Sequence, residues 1–282
     1  MKMTPDETYR TRKQYFDDHT ERWLDMWYKD PVTGRYDKYD KDFERLFSLL
    51  PLKPGGHVLD AGCGTGVLVP FILKRITSTG ILNELDFSEK MIEANRSLHV
   101  QGNIRFIVAD AENAPLDDAS CDVVICFSCF PHFDDKEKAL MALSRILKSN
   151  GVFAVSHFDS SEAINKHHGS CHAVKHDHLP DEPGMRALFQ KVDLNIEVFI
   201  DEPGFYLYHL KKIDMTSILQ SEWNDADQAQ KPDQEELRKA GKIQELYQVS
   251  DAKILAPISS RISLMDGLFA GATRAGACLW CG

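Results

Sequence analysis

At 282 residues, with 43% hydrophobic and 27% charged, the chain is long enough for one large domain or a domain with a substantial appendage, and it needs no disulfide staples. Its formal net charge of -10 argues against a broad grip on nucleic acid, because phosphates call for a positive face. The start, Met1-Lys2-Met3-Thr4-Pro5, has no apolar run of signal-peptide type and no segment reaches bilayer length, so a cytoplasmic protein without a membrane span is expected, its seven cysteines reduced.

Residues 5–30 are helical in character and dense in aromatics: Tyr9, Tyr15, Phe16, Trp23, Trp27 and Tyr28. This segment reads either as a helix packed on the core or as a lid over a ligand, and the two are compatible. Pro31, Gly34 and residues 36–40 make a break, and a second helix carries Phe43, Leu46, Phe47 and Leu50 as its apolar stripe. Pro54-Gly55-Gly56 is a turn into the first strand. The chain then alternates. Strands are expected over 57–61, 81–85, 104–108, 121–126 and 151–157, and helices over 66–76, 88–98 and 135–148, with Ser88 as an N-cap. Such repeated β/α units predict a parallel sheet covered on both faces. Residues 160–192 read as a connecting region with one helix and a polar loop. Leu194–Ile200 and Phe205–Leu210 read as a hairpin around Asp201-Glu202-Pro203-Gly204. Helices are expected over 213–231 and 233–256. The apolar, glycine-rich stretch from Ala256 to Gly282 is left open between a packed extension, a homodimerisation arm and a lid.

One run concentrates chemical meaning: His57-Val58-Leu59-Asp60-Ala61-Gly62-Cys63-Gly64-Thr65-Gly66. Glycines at alternate positions after a short apolar strand allow a sharp turn and close approach to a ligand. Taken alone, this is also the pattern of a plain turn or a dinucleotide loop. Further acids, Asp86 and Asp110, stand after the next two strands, where an open α/β sheet binds its ligands.

Val58-Leu59-Asp60-Ala61-Gly62-Cys63-Gly64-Thr65-Gly66 resembles motif I of the class I S-adenosylmethionine-dependent methyltransferases. Glu84-Leu85-Asp86-Phe87-Ser88-Glu89-Lys90-Met91-Ile92 resembles the second motif, and Ala109-Asp110-Ala111-Glu112-Asn113-Ala114-Pro115-Leu116 the third. Arg145-Ile146-Leu147-Lys148-Ser149-Asn150-Gly151 is similar to a later signature of that family. The likeness covers roughly residues 40–212 and is nearest the ubiquinone/menaquinone-biosynthesis type and its small-molecule relatives. It implies a Rossmann-like, mostly parallel seven-stranded α/β sheet with helices on both faces, an N-terminal helical segment or lid (1–50), a methyltransferase domain (51–212) and a C-terminal extension (213–282).

The implied cofactor is S-adenosylmethionine. Asp60 and Gly62 would meet its methionine end, with Cys63, Gly64 and Gly66 shaping the loop and Cys126 nearby. Asp86, in preference to Glu84, would accept from the ribose hydroxyls. Met91 and Leu85 would wall the base, Phe87 is a further cofactor-binding candidate, and Asp110 would hold the adenine amino group with Ala111 at the ring edge. The sulfonium and ammonium are cations, whereas a dinucleotide pyrophosphate is an anion, so Asp60 before the glycines speaks against a dinucleotide.

On the acceptor side, His157, His167, His168, His172, His176 and His178 fall close together, with His132 in the loop after the fourth strand. The four-residue spacings, with Cys171 and Asp177, would suit a metal. A polar pocket with a histidine base or a solvated loop are the other readings. We take His132 and His157, both at strand ends, as the catalytic candidates, and expect no metal. Cys278 and Cys281 have the spacing of a redox pair, half a zinc site or an incidental pair. The expected partner is a small-molecule methyl acceptor, with nucleic acid disfavoured by charge and a homodimer left open. The expected function is methyl transfer to that acceptor. Alternatives are a quinone-precursor C-methyltransferase, a thiophilic metalloid methyltransferase and a non-catalytic cofactor-binding regulator.

Overall fold

In the computed structural model, which describes residues 4–213, seven strands join in one sheet. They are β1 (His57–Ala61), β2 (Ile81–Asp86), β3 (Ile104–Val108), β4 (Cys121–Phe127), β5 (Leu147–His157), β6 (Leu194–Glu202) and β7 (Phe205–Lys212). Their order is β3-β2-β1-β4-β5-β7-β6. The first five are parallel, and β7 runs antiparallel between β5 and β6. The order reverses at β1, which has β2 on one side and β4 on the other, so a crevice opens beyond their carboxyl ends.

Successive strand residues point to opposite faces, and each face has its own core. On one face Val58, Leu82, Val123 and Ile125 pack with α3 (Asp40–Ser48) and α4 (Val69–Ile76) through Phe43, Leu46, Phe47 and Ile72. On the other, Leu59, Val124, Phe153 and Tyr208 pack with α6 (Lys136–Ile146), α7 (Ser161–Ser170) and α8 (Glu182–Phe189). Between β2 and β3 runs α5 (Glu89–Leu98), whose N-terminus is capped by Ser88 Oγ accepting from the Met91 N–H. The N-terminal segment is α1 (Pro5–His19), started by a Thr4–Glu7 capping box, then a short 3-10 turn and α2 (Trp23–Trp27).

Several boundaries differ from expectation. The helix expected over 66–76 begins at Val69, because Gly66 takes φ +82° and continues the turn. The helix expected over 135–148 stops at Ile146, and β5 begins at once at Leu147 instead of at 151, since Leu147 already pairs with Cys121. The connecting region holds two helices, because Asp181 caps a second start with Pro183 in its first turn. The hairpin strands run further, leaving only Pro203-Gly204 as the turn, with Gly204 at φ +85°. The described residues belong to one compact unit, Met1–Asp214. The expected helices beyond residue 213, the extension to Gly282 and the Cys278/Cys281 pair lie outside the described residues. No helix among the described residues is long and apolar enough to cross a membrane.

Candidate active site

The turn after β1 is hooked to the end of β2: the Gly62 and Cys63 N–H groups both donate to the Leu85 carbonyl, at 2.7 and 3.0 Å. Gly62 sits at φ +78°, and a Cβ there would lie 2.5 Å from that of Cys129. Asp86 then ties the loop together, accepting from the Gly64 N–H through Oδ2 (2.9 Å) and from the Ser88 N–H through Oδ1 (2.8 Å). Burial pushes the Asp86 carboxyl up to about 6, with those two N–H groups pulling the other way.

Around this loop lies a cavity. Asp60, Gly62, Cys63, Gly64, Asp86, Phe87, Met91, Asp110 and Ala111 all line it, so the three expected motifs do converge. Two expected members do not. Cys126 is fully buried in β4 and lines no part of the cavity; Cys129, two positions past the strand end, lines it alongside Cys63 and donates to the Ala61 carbonyl. Gly66 faces α5, where any Cβ would overlap the Asn95 carboxamide, so its smallness serves helix packing. Glu84 is also buried, but Asn95 Nδ2 holds it at 2.6 Å beneath the loop, away from the cavity.

Asp60 departs from the usual pairing of buried polar groups. It is 1% exposed, and among the described residues neither carboxylate oxygen has a hydrogen-bond partner. Burial and the neighbouring Glu84 push its carboxyl well above the ordinary range. A cation or a strong donor arriving in the cavity would relieve both penalties.

The N-terminal aromatics close the cavity from above. Tyr9 OH donates to Asp110 Oδ1 at 3.0 Å, and Phe16 sets its ring edge-on to Phe87 and His132, centroids 5.8 and 5.2 Å apart. Beyond His132 opens a second chamber, walled by Trp23, Trp27, Tyr28, Tyr39 and Phe158 and reached by His157, His167 and His168. The two share Phe16, Trp23, Tyr28, Phe127, Ser128 and His132. Ser128, at that junction, holds φ +54°, a left-handed conformation unusual for serine and frequent at functional sites.

The histidine cluster therefore splits. His132, His157 and His168 are drawn to the chambers, whereas His172, His176 and His178 are exposed on the loop before α8. Burial depresses His157 to about 3 and His168 to about 4, helped by His132, so both rings are neutral. Among the described residues no three metal-ligating side chains converge. Sequence reasoning missed Arg12, Ser128, Cys129 and the role of Asp177. Arg12 and Asp177 are 165 positions apart and carry no local pattern to betray their pairing.

Known proteins show the family. A family described as "Methyltransferase domain" matches residues 59–155. Malonyl-[acyl-carrier protein] O-methyltransferase of Marinomonas is 31% identical over 206 residues, 65% of this chain and 74% of that protein. The chain belongs to the methyltransferase-domain family. Its resemblance to the ubiquinone/menaquinone biosynthesis C-methyltransferase of Idiomarina loihiensis, 32% identical, covers 38% of this chain and spans only 44% of that relative's length. Among solved structures, a SAM-dependent methyltransferase from Aquifex aeolicus superposes with a TM-score of 0.56 at 17% identity, covering 70% of this chain and 98% of that one. The fold of this chain is thus that of the class I S-adenosylmethionine-dependent methyltransferases, with the cavity at its topological switch point.

Proposed function

We propose that this methyltransferase binds S-adenosylmethionine in the first cavity and transfers its methyl group to a small molecule in the second chamber. The observation that carries this reading is the convergence of Asp60, Asp86 and Asp110 on one cavity whose floor is the Gly62–Gly64 turn. S-adenosylmethionine, when bound, supplies an electrophilic methyl carbon on a sulfonium. The chain's own groups fit it. Asp60 brings an unpartnered buried carboxylate to a cation, Asp86 offers its acceptor oxygens to a diol, and Asp110 faces an amino group at the adenine edge. Met91 and Phe87 supply apolar walls for a base.

The protein's contribution to transfer is alignment and exclusion of water. Phe16, Ser128 and His132 form the boundary across which an acceptor would face the methyl, and the α1–α2 aromatics cover it. His132 and His157 stand on the acceptor side of that boundary, consistent with positioning or proton-transfer roles. Buried thiols weigh against a metalloid acceptor, since burial raises Cys63, Cys121 and Cys129 and keeps them protonated, and thiolates are what would bind it.

Titration calorimetry with S-adenosylhomocysteine tests the reading. Wild type should bind, and Asp86→Asn should lose about ten- to a hundredfold in affinity, the roughly 1.5–3 kcal/mol of a charged acceptor. Undiminished affinity in Asp86→Asn would remove Asp86 from the site, and no binding by wild type would end the proposal.

A further inference from the structure

Three residues distant in sequence meet behind His132. His132 Nδ1 lies 2.6 Å from Asp177 Oδ2. Arg12, from α1, grips the same carboxylate with both prongs, Nε to Oδ2 and Nη2 to Oδ1, each at 2.8 Å, and its Nη1 reaches Asp134 at 2.9 Å. Arg12 and Asp177 are both 4% exposed. Burial alone would raise Asp177, but His132 and Arg12 outweigh it and hold the carboxyl below its usual range. An ionised Asp177 only accepts, so Nδ1 must be the donor and Nε2 must carry the lone pair. Among the described residues Nε2 has no hydrogen-bond partner, and the ring lines both chambers. Burial keeps the imidazole from charging easily, although Asp177 pulls the other way.

The chamber that the ring faces narrows the acceptor. Its walls are mostly aromatic, and neither lysine nor arginine is among its lining residues, while Asp159 is. A carboxylate or phosphate acceptor would find no counter-charge there. A neutral, flat, unsaturated molecule would stack on Trp23, Trp27 and Tyr28 and would need a base to become nucleophilic.

We propose that His132 Nε2, held by Asp177 and Arg12, removes the proton of a phenolic or enolic hydroxyl on a flat acceptor bound in the aromatic chamber. This rests on the methyl-transfer reading of the first cavity. The O–H bond breaks and its proton moves to Nε2. The oxygen pair forms the new bond to the methyl carbon, the carbon–sulfur pair stays on sulfur as a neutral thioether, and the imidazolium passes its proton to water. Asp177 and Arg12 are positioning residues: one sets the tautomer, the other locks the carboxylate and ties it to the lid helix. His157, His168, Lys136 and Asp134 complete the titratable surroundings of the ring.

The probe is para-nitrophenol, whose phenolate band reports its own ionisation, added to full-length protein saturated with S-adenosylhomocysteine. In wild type the bound phenol should ionise about one pH unit or more below the free compound. His132→Gln should abolish that shift, and Asp177→Asn, which favours the other tautomer, should cut it at least about tenfold in ionisation constant, both with S-adenosylhomocysteine binding retained. A second measurement needs no variant: nitrogen NMR of wild type should find neutral His132 protonated on Nδ1. An Nε2–H tautomer, an unshifted phenol in wild type, or an equal shift in His132→Gln would overturn the relay. If S-adenosylhomocysteine fails to bind but the ligand-free protein still ionises the phenol in a His132-dependent way, the methyl-transfer reading falls and the relay survives.

Discussion

The two chambers that meet at His132 are built on different principles. The first is made by strand ends and the turns immediately after them, so its polar groups arrive by local sequence: Asp60 with its glycines, Asp86 with Ser88, Asp110 with Ala111. The second is assembled from α1 and α2, the turn after β4, the end of β5, α7 and the loop before α8, so its walls come from stretches far apart in the chain. The first places carboxylates, Asp60 among them unpartnered, around a glycine floor; the second places aromatic surface around imidazoles. A glycine-rich turn repeats because one ligand demands one backbone path. An aromatic wall can be supplied from any element that reaches it.

The strongest way to test the first principle is to separate glycines that face the ligand cavity from those that serve packing. Gly66→Ala should be the most damaging change, because a methyl at φ +82° would overlap Asn95, which is itself buried against Glu84. Overpacking and left-handed strain together should cost roughly 2–4 kcal/mol, about 5–15 °C in Tm. Gly64→Ala is the contrast: at φ +54° its nearest neighbour is Trp23 Nε1 at 3.7 Å, so only the conformational cost of about 1 kcal/mol applies. Thermal unfolding of the two variants decides it; equal losses would erase the distinction.

A smaller effect probes the acidity of the first chamber. Asp86 is raised from 3.8 to about 6, so between those values the folded protein holds a proton that the unfolded chain has lost. Stability from this group is therefore full below about 4 and is lost as pH rises through about 6. Cofactor affinity should run the opposite way, rising with pH through the same window, because a diol and a cation prefer carboxylates to acids. Asp60, raised well above its ordinary range by burial and by Glu84, acts in the same direction. Binding of S-adenosylmethionine near pH 6 should then release protons, and affinity should change by up to about tenfold per pH unit, the limit for one linked proton. Calorimetry in two buffers of unlike ionisation enthalpy measures the release, and its absence would mean that the carboxylates are already charged.

This contrast also explains what was legible in the sequence. The sheet followed from alternation of strand and helix patterns, and β1 and β3 fall on the expected residues because glycine-containing turns before them and acidic ends delimit them. Ser88 was readable as a cap because capping is a local bond. Cys126 was misplaced by geometry that no motif encodes: after Phe127 the chain turns through Ser128 at φ +54°, which brings Cys129 against Gly62 and leaves Cys126 inside the strand. Gly66 belongs to the motif yet answers to Asn95, a residue of the next helix but one. His132 was readable as a residue of the loop after β4, although it closes a 3-10 turn there and does not follow the strand end directly. The Arg12–Asp177 pair behind it was not readable, because a buried ion pair depends on where two distant segments end up. Histidine spacing in the 167–178 stretch suggested a metal set; burial of His168 and exposure of His172 and His176 place those rings in different surroundings.

The mildest prediction concerns the seam between the chambers and their lid. Tyr9 OH reaches Asp110 from α1, and burial and that carboxylate push the phenol up to about 12, so it remains a donor throughout the working pH range. Tyr9→Phe keeps the ring against Phe87 and removes only this hydrogen bond. Three stronger anchors remain on the same helix: the Arg12 fork to Asp177, Phe16 between Phe87 and His132, and Asp17 on Ser88. The lid should therefore stay seated but open more often, by about 1 kcal/mol, or roughly fivefold faster hydrogen exchange of α1 amides, with global Tm little changed. Asp110 loses its only side-chain donor among the described residues in the same step, so S-adenosylhomocysteine should now protect α1 more than it does in wild type. Exchange unaltered by Tyr9→Phe would mean that aromatic packing alone holds the lid, and that the first chamber's acids take no part in closing it.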